Sequence, residues 1–364
     1  GGDAALRLTR PDGSSLVEVP AGATWRATAV PTGVAVSPGR GGPGSVAEQF
    51  VVAPADSQAR VRVNGRSYRG TLVLLRDRTG LTVVNRVPME SYLLGVVSAE
   101  MGRRGPAERE AVRAQAVASR TYALRNLGRW RAEGFDLYAT VFDQVYGGVG
   151  AETPEAREAV ESTYGQVLTW NGGPIDAFFF STCGGRTESG VNVFQGADVP
   201  YLQSVSDAGP SGTAYCSISP RYRWREEWTG ERLRGVLRRS LPSVLSIDPS
   251  RVDQVRDVRV VSRTASDRVG LLSITLGRES VDVEGRTVRQ VLQTPAGELL
   301  RSTAFTLDVQ RSGGRVARLV AEGGGNGHGV GLCQWGAVGR ARAGQDYQQI
   351  LSAYYGGTEL TRWY

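Results

Sequence analysis

The chain has 364 residues, 40% hydrophobic and 22% charged, long enough for two or three domains with a core that needs no disulfide scaffold. No apolar run approaches the ~18 residues of a membrane span, and the apolar content excludes a disordered chain. All 43 basic residues are arginine, the formal charge is +7 and His328 is the one histidine, which excludes lysine chemistry, a multi-histidine metal site and any Ser-His-Asp triad not built on His328.

In chain order, residues 1–85 predict a β-rich segment, with alternating runs at 5–8, 17–19, 59–63 and 71–75 separated by Pro11-Asp12-Gly13 and Asn64-Gly65. The Gly- and Pro-dense stretch 31–45 should include an exposed loop. Pro88 suits a helix start, and Leu93, Val96, Val97 and Glu100 then share one face at i, i+3, i+4 and i+7, so a carboxylate ends an apolar stripe. A longer helix is predicted from about Ala107 to Leu127, packing through Ala111, Val112, Ala116, Ser119 and Ala123. Residues 166–170, the turn Asn171-Gly172-Gly173 and the apolar run 175–180 predict a hairpin with a buried second strand. An amphipathic helix near 231–241 and strands at 258–261 and 271–276 read as an inserted lobe. A strand at 305–309, a glycine run at 323–325 and two short helices ending near Tyr355 close the chain.

Glu100 is the most informative carboxylate, because partial desolvation on an apolar stripe should raise its pKa toward that of a general acid; the plain alternative is a surface Glu at a helix end. Glycines flank His328 in Gly327-His328-Gly329, allowing close backbone approach and an exposed ring. Residues 180–188 leave an apolar strand into a glycine turn, and 143–148 (DQVYGG) offer an amide, a phenol and flexible backbone suited to sugar hydroxyls. Cys183, Cys216 and Cys333 lack the CxxC spacing of a zinc pair. They leave open a Cys183–Cys216 disulfide, three buried thiols, a Cys333–His328 nucleophilic pair, or a zinc site that includes His328.

Seven blocks resemble the SpoIID/LytB family of bacterial cell-wall proteins, in that family's order. They are VPMESYLLGVVSAEM (87–101), AVRAQAVASRTYAL (111–124), QVYGG (144–148), FFFSTCGGRTES (178–189), PYLQSVSD (200–207), LRSTAF (300–305) and GHGVGLCQWGAVGRARAG (327–344). The resemblance implies an α+β protein. Its β-rich catalytic domain, with a helical pair carrying the catalytic Glu, would be discontinuous at 60–210 and 285–364, flanking an inserted lobe at 211–284 and following a β-rich segment at 1–59. It also implies a lytic transglycosylase that cleaves peptidoglycan between N-acetylmuramic acid and N-acetylglucosamine to give 1,6-anhydromuramic ends, with Glu100 as acid and base. Arg120, Gln144, Tyr146, Ser181, Thr182, Gly184, Gly185, Thr187, His328 and Gln334 would bind or orient the sugar.

Some relatives carry His near the STCGG block and look like zinc binders, whereas this sequence has Phe180 and Arg186 there. With those imidazoles missing and an oxidising compartment implied, the expectation is a Cys183–Cys216 disulfide, no metal and no cofactor. The expected partner is the glycan strand, not nucleic acid, in the periplasm or at the cell surface. Other relatives are called amidase enhancers, so the alternative is a noncatalytic wall-binding activator of an N-acetylmuramoyl-L-alanine amidase.

Overall fold

The computed structural model describes residues 1–56, 58–78 and 80–364. It has the mixed α+β class expected, in two compact units: Gly1–Gly105 with Gln115–Val167 and Arg362–Tyr364, and Pro106–Ala114 with Leu168–Thr361. Among the described residues no helix is long and apolar enough to cross a membrane.

The first unit begins with an antiparallel sheet in the order Leu81–Arg86, Thr71–Arg76, Gln49–Pro54, Leu6–Thr9, Ser15–Val19. Period-two alternation turns Leu6, Leu8, Phe50, Val52, Leu72 and Leu74 into one core. Asn64 and Gly65 take φ of 48° and 80°, the double left-handed turn that joins Val61–Val63 to Arg66–Tyr68. Residues 39–44 form the exposed loop expected within 31–45, while Gly33–Pro38 before it is a strand with Val34 and Val36 buried. The short alternation of those valines, paired with Trp25–Val30 and Ser45–Ala47, prevails over the flanking glycines and prolines.

Helix α1 (Met89–Met101) follows Pro88 as expected and buries Leu93, Val96 and Val97 completely. Helix α2 (Arg109–Arg125) follows a short turn at Pro106–Glu108. Helix α3 (Pro154–Ser162) is capped by Thr153, whose hydroxyl accepts from Ala156 N, and Thr153 N donates to Ser98 Oγ at 3.0 Å, fixing the start of α3 against α1.

The second unit packs two three-stranded antiparallel sheets, Arg223–Thr229/Arg315–Gly324/Phe305–Ser312 and Val255–Arg263/Val269–Leu276/Glu279–Glu284, with α4 (Gly230–Leu245) and α5 (Gly285–Val291). The i, i+3, i+4 face of α4, Leu233, Val236, Leu237 and Leu241, joins Trp228, Leu272, Val288 and Leu319 in one core whose side chains come from both sides of residue 284. Helices α6 (Gln334–Arg342) and α7 (Tyr347–Tyr354) follow, the latter opened by an Asp346/Gln349 capping box. The expected hairpin at 166–180 is only half present: Thr169 and Trp170 pair with Pro174 and Gly173, but Phe179–Phe180 pairs in parallel with Leu332–Cys333. An apolar run reports burial, and its partner here is supplied from far along the chain.

Candidate active site

In the first unit, Glu100 lies half-buried in the last turn of α1, and its Oε1 accepts the Val145 amide at 3.3 Å. The 143–148 loop therefore reaches the end of the apolar stripe. Asp143 anchors that loop: its fully buried carboxylate accepts from Tyr122 Oη, Trp130 Nε1, Arg129 Nη1 and the Tyr138 amide at 2.8–3.0 Å. Gln144 is buried, receiving Tyr92 Oη on Oε1 at 3.1 Å and donating to the Ser119 carbonyl of α2 at 3.3 Å. The Tyr146 ring lies 5.1 Å from that of Tyr92, and its hydroxyl donates to Asn85 Oδ1 at 3.0 Å. Burial, with Asp143 as the next influence, pushes the Tyr92 phenol up, and burial raises that of Tyr146, so both act as neutral hydrogen-bonding groups.

The tight spot beside Tyr146 needs Gly95, where a Cβ would stand 2.6 Å from the ring. A cleft of about 990 Å³ opens on the Tyr92 and Tyr146 side, lined also by Asn85, Met89, Asp136 and Tyr138; Glu100 is not among its lining residues. Sequence reasoning missed Tyr92, Asn85 and Asp143. Tyr92 was within reach, since it stands two turns before Glu100 within the same block, whereas Asp143 looked like ordinary loop composition.

Arg120 does not reach the cleft. It has no exposure, pairs bidentately with Glu90 of α1, and donates to the Gln166 and Val160 carbonyls. The sugar contact expected of it is corrected to a tie between α1, α2 and the end of α3.

In the second unit, Ser181 is half-buried; its carbonyl accepts the Trp335 amide at 3.0 Å, so the STCGG segment is tied to the start of α6, where Gln334 is buried. Thr182 is buried and shares a hydrogen bond with Ser219 Oγ at 2.8 Å, while the buried Thr187 hydroxyl accepts from Val205 N at 2.7 Å. Both hydroxyls serve the fold and not an open surface, which corrects the ligand contact expected of them. Gly184 and Gly185 take φ of 80° and 121°, and a Cβ at 184 would press on the Gly324 backbone at 2.8 Å.

His328 is half-buried, not the exposed ring its glycines suggested. Phe178, Phe180 and Phe194 surround it at ring-centroid distances of 5.2–6.2 Å. Nδ1 accepts from Val330 N at 3.1 Å and Nε2 lies 2.9 Å from the Phe179 carbonyl, which fixes the tautomer with the proton on Nε2. Burial lowers its pKa to about 4. Gly327 and Gly329 are needed for close approach to Phe180 and Arg268, where Cβ atoms would come within 2.8 and 3.0 Å. Among the described residues no hydrogen bond joins the ring to Cys333, whose Sγ accepts from the Cys183 and Gly336 amides.

The structure describes no bond between Cys183 and Cys216. All three cysteines are free and buried, with Cys183 Sγ 3.3 Å from Cys216 Sγ against ~2.05 Å for a bond. Cys333 joins the same pocket, which sequence spacing could not reveal.

Comparison with known proteins bears on this arrangement. Residues 77–170, which carry α1, α2 and the 143–148 loop, match the SpoIID family, described as Stage II sporulation protein. The stage II sporulation protein D of Bacillus subtilis is 30% identical over 78% of this chain and 77% of its own length. The chain belongs to the SpoIID family. An uncharacterized protein of Brachyspira hyodysenteriae is 31% identical over 84% of this chain and 75% of its own length. A Bacillus subtilis protein named amidase enhancer is 30% identical over 83% of this chain, which spans 45% of that protein. Residues 212–331 of this SpoIID-family chain also match a domain of unknown function.

Proposed function

We propose that the protein is a lytic transglycosylase acting on peptidoglycan glycan strands, exported to the periplasm or cell surface, with Glu100 as its acid and base. The observation that carries this reading is the half-buried Glu100 carboxylate held to the Val145 amide at the end of α1, because it joins two of the blocks, 87–101 and 144–148, by which the chain resembles its family. As the acid, Glu100 protonates the glycosidic oxygen, and the leaving sugar departs. As carboxylate it then takes the proton from the C6 hydroxyl of the muramic sugar, which closes on its own anomeric carbon. No water enters as nucleophile, so one carboxylate suffices. Tyr92 and Tyr146, neutral and lining the cleft, suit stacking and hydrogen bonding with a sugar ring.

The test incubates the protein with purified glycan strands and identifies products by mass spectrometry. Ends lighter by one water mark the anhydro sugar, and Glu100→Gln should reduce their rate ~10²–10⁴-fold, since an amide neither donates nor takes the proton. Anhydro ends undiminished in that variant would remove Glu100 from the mechanism.

The second reading, a noncatalytic activator of a cell-wall amidase, is supported by the 30% identity to the protein named amidase enhancer. It expects no product from the protein alone, faster release of stem peptides by an added amidase, and no effect of Glu100→Gln.

A further inference from the structure

We propose that Cys183, Cys216, Cys333 and Asp207 form a mononuclear zinc site that staples the second unit. The four residues come from four separate segments, all are buried, and their ligand atoms lie within 4.8 Å of one another. A tetrahedral zinc with Zn–S of about 2.3 Å needs sulfurs about 3.8 Å apart, so four donors at this spacing suit one ion. Three thiolates with one carboxylate are a soft-to-borderline donor set that favours zinc over calcium or magnesium. This donor set is distinct from the positions 180 and 186, whose lack of histidine led the sequence to predict no metal; the imidazoles were not needed.

The surroundings are those of metal thiolates. Cys333 Sγ caps α6, accepting the Gly336 amide at 3.2 Å and the Cys183 amide at 3.1 Å. Cys183 Sγ accepts the Gly185 amide at 3.4 Å. Asp207 Oδ1 is held by Tyr354 Oη at 2.6 Å and lies 3.7 Å from Arg340 Nε, while Oδ2 faces the sulfurs, 3.4 Å from Cys183 Sγ, and accepts the Cys216 amide at 2.9 Å. Such outer hydrogen bonds orient ligands and stabilise their anionic forms.

Charge supplies an independent argument. Arg268 is only 1% exposed, donates through Nη2 to the Cys183 and Arg186 carbonyls, and leaves Nε and Nη1 without a hydrogen-bond partner. Among the described residues no carboxylate lies within salt-bridge distance of it; the buried Glu188 carboxylate acts on it only at longer range, so its charge is incompletely compensated beside neutral thiols. A divalent ion with three thiolates and a carboxylate leaves two formal negative charges, which Arg268 and Arg340 offset. A bound cation favours the anionic forms of all four donors together.

The staple would fix Ser181, two residues before Cys183, and Gln334, immediately after Cys333, independently of what Glu100 does in the other unit. The test strips the full-length protein with chelator under reductant, then titrates it with zinc chloride and, separately, cobalt(II) chloride. Expected are about one equivalent of each ion, intense visible bands and a thiolate charge-transfer band for cobalt, loss of reactivity of all three thiols on zinc addition, and a higher melting temperature. Cys216→Ser, Cys333→Ser and Asp207→Asn should each weaken zinc binding at least ~10-fold. The wild-type measurements decide the matter even where a variant fails to fold. Thiol reactivity unchanged by zinc and no cobalt spectrum would overturn the proposal. So would an intact mass about 2 Da low with one free thiol in protein purified without reductant, which marks a disulfide.

Discussion

Arg120 Nε and Nη2 meet Glu90 Oε1 and Oε2 at 2.8 and 2.7 Å, a bidentate pair in which the arginine has no exposure. Removing one member of a buried pair leaves the other charge unmatched, so Arg120→Met should lower unfolding free energy by about 3 kcal/mol. Arg120→Lys should recover little, because an ammonium cannot reproduce the fork or reach the Gln166 and Val160 carbonyls as well. Urea unfolding measures the loss. Unchanged stability with a raised KM for glycan would restore the sugar contact that the sequence suggested.

Asp143 offers a way to loosen the 143–148 loop without changing Glu100 or Val145. Asp143→Ala strands donors from Tyr122, Trp130 and Tyr138, at about 1–3 kcal/mol for a buried donor left unmade. Amide exchange should rise across residues 138–146 while α1 and α2 stay protected, and formation of anhydro ends should slow. Exchange that rises uniformly over the unit would mean that Asp143 supports the whole fold.

Gly95→Ala puts a methyl 2.6 Å from the Tyr146 ring. Overpacking of this kind costs about 1–3 kcal/mol, and the ring must turn away from Asn85 and the cleft. The variant should melt earlier and lose activity by more than its folded fraction explains. Full activity per folded molecule would show that Tyr146 is not needed in its present place.

His328 should impose an acid limit on stability. Its folded pKa is lowered from 6.5 to about 4 by burial, so the unfolded chain takes up a proton first as pH falls. The neutral ring leaves stability unaffected above about 6.5, and the loss grows between there and about 4, reaching ~2–3 kcal/mol. Comparing urea midpoints of wild type and His328→Gln at pH 7.5 and 4.5 isolates this loss from the carboxylates, because the variant lacks the titrating ring. Parallel pH profiles would mean that the ring is open to water.

Much of the local structure was legible in the residues themselves. The period-two runs at 5–8 and 71–75 became strands, the 3.6-residue stripe ending at Glu100 became α1, and the motif blocks identified the family. These follow from sequence because alternation, helical periodicity and short motifs are carried by neighbouring residues. What tertiary structure decided is where polar groups find their partners. Arg120 could have served a sugar, His328 could have stood free, and Cys183 could have bonded Cys216. Instead Arg120 meets Glu90, the His328 ring turns among three phenylalanines, and Cys183 meets Cys333 across 150 residues. Burial forces such groups to find partners, but spacing along the chain does not encode which distant segment supplies them.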